Sequence, residues 1–144
     1  MTKRSKEAAI RPTPQRRKLM IPLLPPSTNH SHIIARRGNG SWRIRTHETV
    51  AFMETVHVLM AGMVPLEGPV AVSYTFHFAD RRRDVENALK VTSDAISATG
   101  DQKKEGTTTG YLLHNDRQIE ELHAYKKVGG NGGILGVEVE AWTL

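Results

Sequence analysis

The chain is predicted to fold as an α+β domain: a single domain in which a mixed β-sheet is covered by two helices. Three observations carry that prediction. Residues 69–78, PVAVSYTFHF, are rich in β-branched and aromatic side chains and suit a central strand. Residues 81–97, RRRDVENALKVTSDAIS, gather Val85, Ala88, Leu89, Val91, Ala95 and Ile96 into one arc of a helical wheel, opposite a continuous polar arc. The whole chain reads in the order strand, hairpin, helix, strand, helix, strand, strand, which suits one mixed sheet.

Leu19 to Leu24, interrupted by Pro22, resembles an edge strand, and the PPSTN that follows must be a loop because two prolines bar a central strand. HIIARR and SWRIRT, joined by GNG, form a hairpin that presents Arg36, Arg37, Arg43 and Arg45 as a basic ribbon. Thr46 then precedes a helix in which Val50, Met53, Val56, His57 and Met60 recur at helical spacing, and Gly62 can end it. His57 reads as a packed helix residue. The central strand runs into Asp80 and the triplet Arg81, Arg82, Arg83, so the acidic helix starts at the end of a rigid element. Residues 100–110, GDQKKEGTTTG, hold no apolar side chain and read as a long loop. Gln118 to Val128 and Ile134 to Leu144 look like two strands on either side of GGNGG.

Composition narrows the function classes. With 144 residues and 38% hydrophobic content, the chain supports one modest core. No apolar run approaches the roughly 20 residues needed to cross a bilayer, and the basic start lacks the apolar segment of a signal peptide, so a cytoplasmic protein that binds no membrane is expected. Zero cysteines exclude disulfides, thiolate nucleophiles and cysteine-ligated zinc. Any metal would be held mostly by oxygen. The net charge of +5 is uneven: residues 1–18 hold seven Lys or Arg and one Glu, leaving the rest of the chain near −1. This stretch is expected to be a disordered basic arm suited to a polyanion, with the folded domain over 19–144; a solubilising tail is the plain alternative.

The acidic helix raises a chemical question. Phosphodiester hydrolysis uses a hard divalent cation, and Mg²⁺ takes carboxylate and water oxygens at about 2.0–2.1 Å in an octahedral array. Asp84 and Glu86 lie at one side of the helix start, and Asp116, at the entry to a strand, is the candidate third acid. Lys90, one turn beyond Glu86, can supply counter-charge or face a phosphate. The plain reading stays open: Asp84 as a helix cap, the acidic face merely solvated, and Asn115-Asp116 an ordinary turn. Asp94 reads as a helix-face residue. His30 and His32 suit loop polarity or a phosphate contact better than zinc, and His114 an exposed loop. Trp42 and Trp142 read as core or dimer-interface residues.

Taken together and in order, PPSTN, the basic hairpin ending in Thr46 and Glu48, DRRRDVENALKVTSDAI and NDRQIEEL resemble the RusA family of Holliday junction resolvases, from about Leu23 to Trp142. The family's central motif, approximately D-x-D-N-x-x-K-x-x-x-D, is matched by Asp84, Glu86, Asn87, Lys90 and Asp94. Its later D-D-x-Q-[IV] is matched by Asn115, Asp116, Gln118 and Ile119. The resemblance implies a homodimeric, Mg²⁺-dependent endonuclease, bacterial or phage-encoded, that nicks paired strands of four-way junction DNA in recombination and repair. It implies that acids at Asp84, Glu86 and Asp116 hold metal while Lys90 assists catalysis. Arg36, Arg37, Arg43, Arg45 and Arg81 to Arg83 are the expected DNA contacts. This chain departs in having Glu86 for the usual Asp, Asn115 for the first Asp of the later pair, and a longer 100–110 loop. Two other readings stay open: a junction- or DNA-binding protein in which the Glu86 and Asn115 departures have weakened cleavage, or an α+β interaction domain that binds no nucleic acid and whose acidic face is merely solvated.

Overall fold

The computed structural model describes residues 14–26, 32–38, 40–98, 109–129 and 133–144, with the backbone alone at 32–37 and 41–44. Its principal sheet has four strands: β1 (Arg16–Ile21), β4 (Val70–Phe78), β5 (Ile119–Val128) and β6 (Gly136–Thr143). They lie in the order β1-β6-β4-β5, with β5 parallel to β4 and the other neighbours antiparallel. A separate hairpin joins β2 (His32–Arg37) to β3 (Gly40–Arg45), turning through Gly38 at a left-handed φ of 61°. Two helices complete the fold, α1 (His47–Leu59) and α2 (Val85–Ile96). The α+β architecture of a mixed sheet and two helices is the one the sequence predicts.

The core lies on one face of β4. Val70, Val72, Tyr74, Phe76 and Phe78 point to the helices, and the last three stack as a ladder of rings 6.0 and 5.9 Å apart. Ala88, Val91, Ala95 and Ile96 of α2 bury against this row together with Phe52, Met53 and Val56 of α1. Thr92 is buried among them and returns its hydroxyl to the Ala88 carbonyl at 2.9 Å, so no polar atom is stranded. On the sheet's other face Lys18, Met20, Ser73, Thr75, Glu138 and Glu140 line an open hollow of about 480 Å³.

Two expectations are revised, the bounds of the first strand and the inward face of α1. The first strand begins at Arg16 and ends at Ile21, so Arg16, Arg17 and Lys18 leave the basic arm and pair with Trp142, Ala141 and Glu140. Arg16 bonds Glu140 and sits 5.3 Å above the Trp142 ring, which gives these cations folded partners; Pro22 ends the strand. Residues 1–13 lie outside the described residues, as do His30 and nearly all of the 100–110 loop. The strands flanking GGNGG are not neighbours, because β4 lies between them. In α1 the inward residues are Thr49, Phe52, Met53 and Val56, whereas Val50 is exposed.

One glycine is required by close packing. A Cβ at Gly136 would stand 2.0 Å from the Ile21 carbonyl oxygen, so β6 can enter beside the end of β1 only with hydrogen at that position.

Candidate active site

The aromatic ladder of β4 ends at Phe78, and the chain turns there into the arginine triplet. Arg83 lies 5.4 Å over the Phe78 ring and donates to the Pro25 carbonyl at 2.6 Å. Lys126 of β5 lies 5.7 Å over the same ring and donates to the carbonyls of Arg81, at 2.6 Å, and Arg83. This stitching holds the start of α2. Asp84 caps the helix, its carboxylate accepting from the Glu86 N–H at 3.1 Å, and both acids are exposed at the positive end of the helix dipole. Lys90 does not answer them; it pairs with Asp94 one turn on, at 3.6 Å.

Asp116 is positioned by a second device. Asn115 caps the single 3₁₀ turn Asp116–Gln118, its side chain accepting from the Arg117 N–H at 2.8 Å. Gln118 answers as the far corner of a capping box. Its amide oxygen accepts from the N–H groups of His114 (2.8 Å) and Asn115 (3.1 Å), and its NH₂ donates to the carbonyls of Leu66 and Gly68, both at 2.8 Å. Every bonding position of that amide is used, so the turn carrying Asp116 is strapped to the segment leading into β4. His114 adds a 2.7 Å contact to Glu67. The Asn115 departure is explained by this geometry: the position caps a turn, and an Asn oxygen caps as well as an Asp oxygen does.

These elements enclose a hollow of about 250 Å³ lined by Arg45, Asp94, Ser97, Ala98, Asn115 and Asp116. Arg45 is the last residue of β3, so the basic ribbon delivers its final arginine to the acids. Tyr74 lies beneath, bonded to Ser93 at 2.8 Å; burial drives its phenol well above the ordinary range, and the charges of Asp116 and Asp94 drive it further.

The predicted acids therefore fall into two groups. Asp84 and Glu86 stand at the start of α2, whereas Asp116 shares its hollow with Asp94 near the end of that helix. Ten residues separate Asp84 from Asp94, about 15 Å at 1.5 Å per residue. Among the described residues no three His, Asp or Glu side chains gather closely enough to hold an ion. The donors are of the oxygen type that Mg²⁺ takes, but within one chain they do not form its ligand set.

The other expected contacts are distributed as follows. Arg81 and Arg82 are exposed, with Arg82 bound through its backbone to Asp80 at 2.8 Å. Arg83 is half-buried and braces the turn. The hairpin register sets Arg36, Arg43 and Arg45 at positions of one face of the ribbon and Arg37 at a position of the other. In sequence, Asp94 and Gln118 match the family's motifs, but Asp94 reads as a helix-face residue and Gln118 is given no role. The N-D-R-Q spacing of a capping box was the available signal for Gln118; nothing local placed Asp94 beside Asp116.

A family model described as endodeoxyribonuclease RusA matches residues 24–140, most of the chain and all of the elements that shape these two acid groups. No curated protein is similar enough to add to that match.

Proposed function

The chain belongs to the RusA endodeoxyribonuclease family, DNA-hydrolysing enzymes that resolve Holliday junctions, and from that premise we propose that it resolves four-way junctions by paired symmetric nicks in a Mg²⁺-dependent reaction. In this reading it acts as a homodimer in the cytoplasm, in recombination and repair. The observation that carries the reading is the hollow where Arg45, the end of the basic ribbon, stands beside Asp94 and Asp116. A phosphate drawn in by the ribbon arrives next to carboxylates.

The roles follow from charge and position. Arg36, Arg37, Arg43 and Arg45, with exposed Arg81 and Arg82, hold phosphates and set the register of the duplex arms. Arg83 fixes the turn from which its neighbours project. Asp84 and Glu86 at one end of α2 and Asp116 near the other are the candidate reacting carboxylates, and one that stands beside the bound phosphate can orient a water and accept its proton as it attacks phosphorus. Lys90, on the exposed face between the two acid groups, offers positive charge to the phosphate as negative charge develops. Residues ahead of β1 add cations that bind phosphate without sequence preference.

An end-labelled four-way junction incubated with protein and either Mg²⁺ or chelator tests the proposal. Symmetric nicks in opposing strands, present with Mg²⁺ and absent with chelator, are expected. Tight binding with no nicking under either condition would favour the reading in which cleavage has been lost. Absence of binding would leave an interaction domain.

A further inference from the structure

β5 is fastened at both ends of β4, and each fastening lies beside acids. At its first turn Gln118 grips the carbonyls of Leu66 and Gly68, ahead of β4, and so holds Asp116. Near its other end Lys126 grips the carbonyls of Arg81, at 2.6 Å, and Arg83, beyond β4. The Arg83 carbonyl belongs to the planar peptide whose nitrogen is that of Asp84, so holding its oxygen fixes the plane from which Asp84 departs. Glu86 follows, because its N–H is bonded to the Asp84 carboxylate.

Lys126 is placed for this grip and its neighbour is not. The register sets Lys126 beside Phe76, on the face covered by the helices, and Lys127 beside His77, on the other. From that face the Lys126 ammonium reaches a position 5.7 Å over the Phe78 ring. Its donors radiate from a single nitrogen, so two can meet carbonyls of alternate residues while the positive charge rests against the ring. A guanidinium spreads its donors in a plane, and a neutral stem offers none. As a mere stitch the arrangement is costly. A long side chain is ordered at the surface, and Arg83 already lies 5.4 Å over the same ring with the same sign of charge.

We propose that Lys126 is a positioning residue for strand cleavage, clamping the turn that carries Asp84 and Glu86 to the strand that starts from the Asp116 turn. The inference rests on the nuclease reading and adds to it a residue outside the acids and the arginines. One ten-residue strand then sets both acid groups, and its lysine acts on the chain's own carbonyls rather than on phosphate.

The chain has no cysteine, which makes a direct test available. In Lys126→Cys the introduced thiol is the sole one, so 2-bromoethylamine converts it to a side chain of lysine's length and charge, and iodoacetamide to a neutral one. Single-turnover nicking of a labelled four-way junction, saturated with protein in Mg²⁺, should fall about ten- to a hundredfold in Lys126→Cys and Lys126→Met. Aminoethylation should restore it to within about threefold of the parent, whereas the amide should leave it low. Junction affinity in chelator and its salt dependence should match the parent's in all of these chains. Lys127→Met should keep the saturated rate. A Lys126→Met chain that nicks at the parent's saturated rate, with or without a shallower salt slope, would make Lys126 a surface cation or a phosphate contact and overturn the proposal. A loss of nicking no larger than the loss of folded protein by circular dichroism, or a loss that the restored ammonium does not reverse, would overturn it too. Each of those results leaves the nuclease standing; a parent that never nicks sinks the nuclease reading and the positioning role together.

Discussion

β4 and β5 lie side by side and run parallel, yet one is almost entirely buried and the other almost entirely exposed. β4 is flanked by strands on both sides and covered by helices on one face, so every position facing the helices is apolar, while Ser73, Thr75 and His77 alternate on the other face. β5 has a strand on one side only, and acids and lysines fill its two halves. The buried strand supplies stability; the exposed one starts from the turn that carries Asp116, to which the proposed function assigns chemistry. Two strands hydrogen-bonded to each other can thus be shaped by different demands.

The largest expected effect strikes β4. Phe76→Ala removes the middle ring of the ladder and should cost about 3–5 kcal/mol, enough to unfold much of the protein, as read from urea midpoints. A loss under about 1 kcal/mol would mean that the two strands share the burden of stability more evenly than their burial implies.

Next comes Asp116→Asn, at the entry to β5. The fold should survive, by circular dichroism, while nicking falls about a hundredfold or more. Junction binding in chelator should hold or tighten slightly, since a negative charge leaves a phosphate site. Cleavage at the parent's rate would reduce Asp116 to a turn residue and erase the functional half of the contrast.

Gln118→Glu probes the joint between the strands. A carboxylate cannot donate to Leu66 and Gly68, so two of the four bonds are lost, and we expect destabilisation of about 1–3 kcal/mol. Nicking should fall further than the change in folded fraction explains, because the turn carrying Asp116 is released. If activity and folded fraction fall together, the strap is structural only.

The smallest effect lies in the helical layer above β4. Half-buried His57, edge-on to Tyr111 at 5.6 Å, has its pKa lowered by burial and by nearby Arg45, with Glu54 pulling the other way. The unfolded chain therefore binds the proton more readily. The stability gained from neutral His57 is present above about pH 6.5 and declines as pH falls below that, toward the lowered folded value. His57→Gln should flatten this part of the pH–stability curve by less than about 1 kcal/mol, the exposure of the ring limiting the effect. An unchanged slope between pH 5 and 7 would assign it to other groups.

These contrasts were only partly legible in the sequence. The run from Val70 to Phe78 announced a central strand because its β-branched and aromatic residues alternate with Ser73, Thr75 and His77. The arc of α2 was equally plain, since polar residues interrupt it at helical spacing. In α1 apolar side chains surround the helix, so periodicity could not choose between Val50 and Phe52 as the inward residue. Strand order was hidden for a different reason. GGNGG looks the same whether its flanking strands pair or pass on either side of a third. The separation of the acids was hidden too: Asp84 and Glu86 lie in one motif and Asp116 in another, and nothing local in either shows that Asp116 stands beside Asp94, ten residues on from Asp84.

The meeting of β1 with β6 bears on how the protein is made. Gln15 and Thr143 exchange hydrogen bonds across 128 positions of sequence, so β1 leaves the ribosome well before the strand it pairs with. At the usual 5–20 residues per second, β1 waits roughly 6–26 s with an unsatisfied edge. The cations Arg16, Arg17 and Lys18 make that wait safer, because nascent chains carrying the same basic strand repel one another until Glu140 emerges.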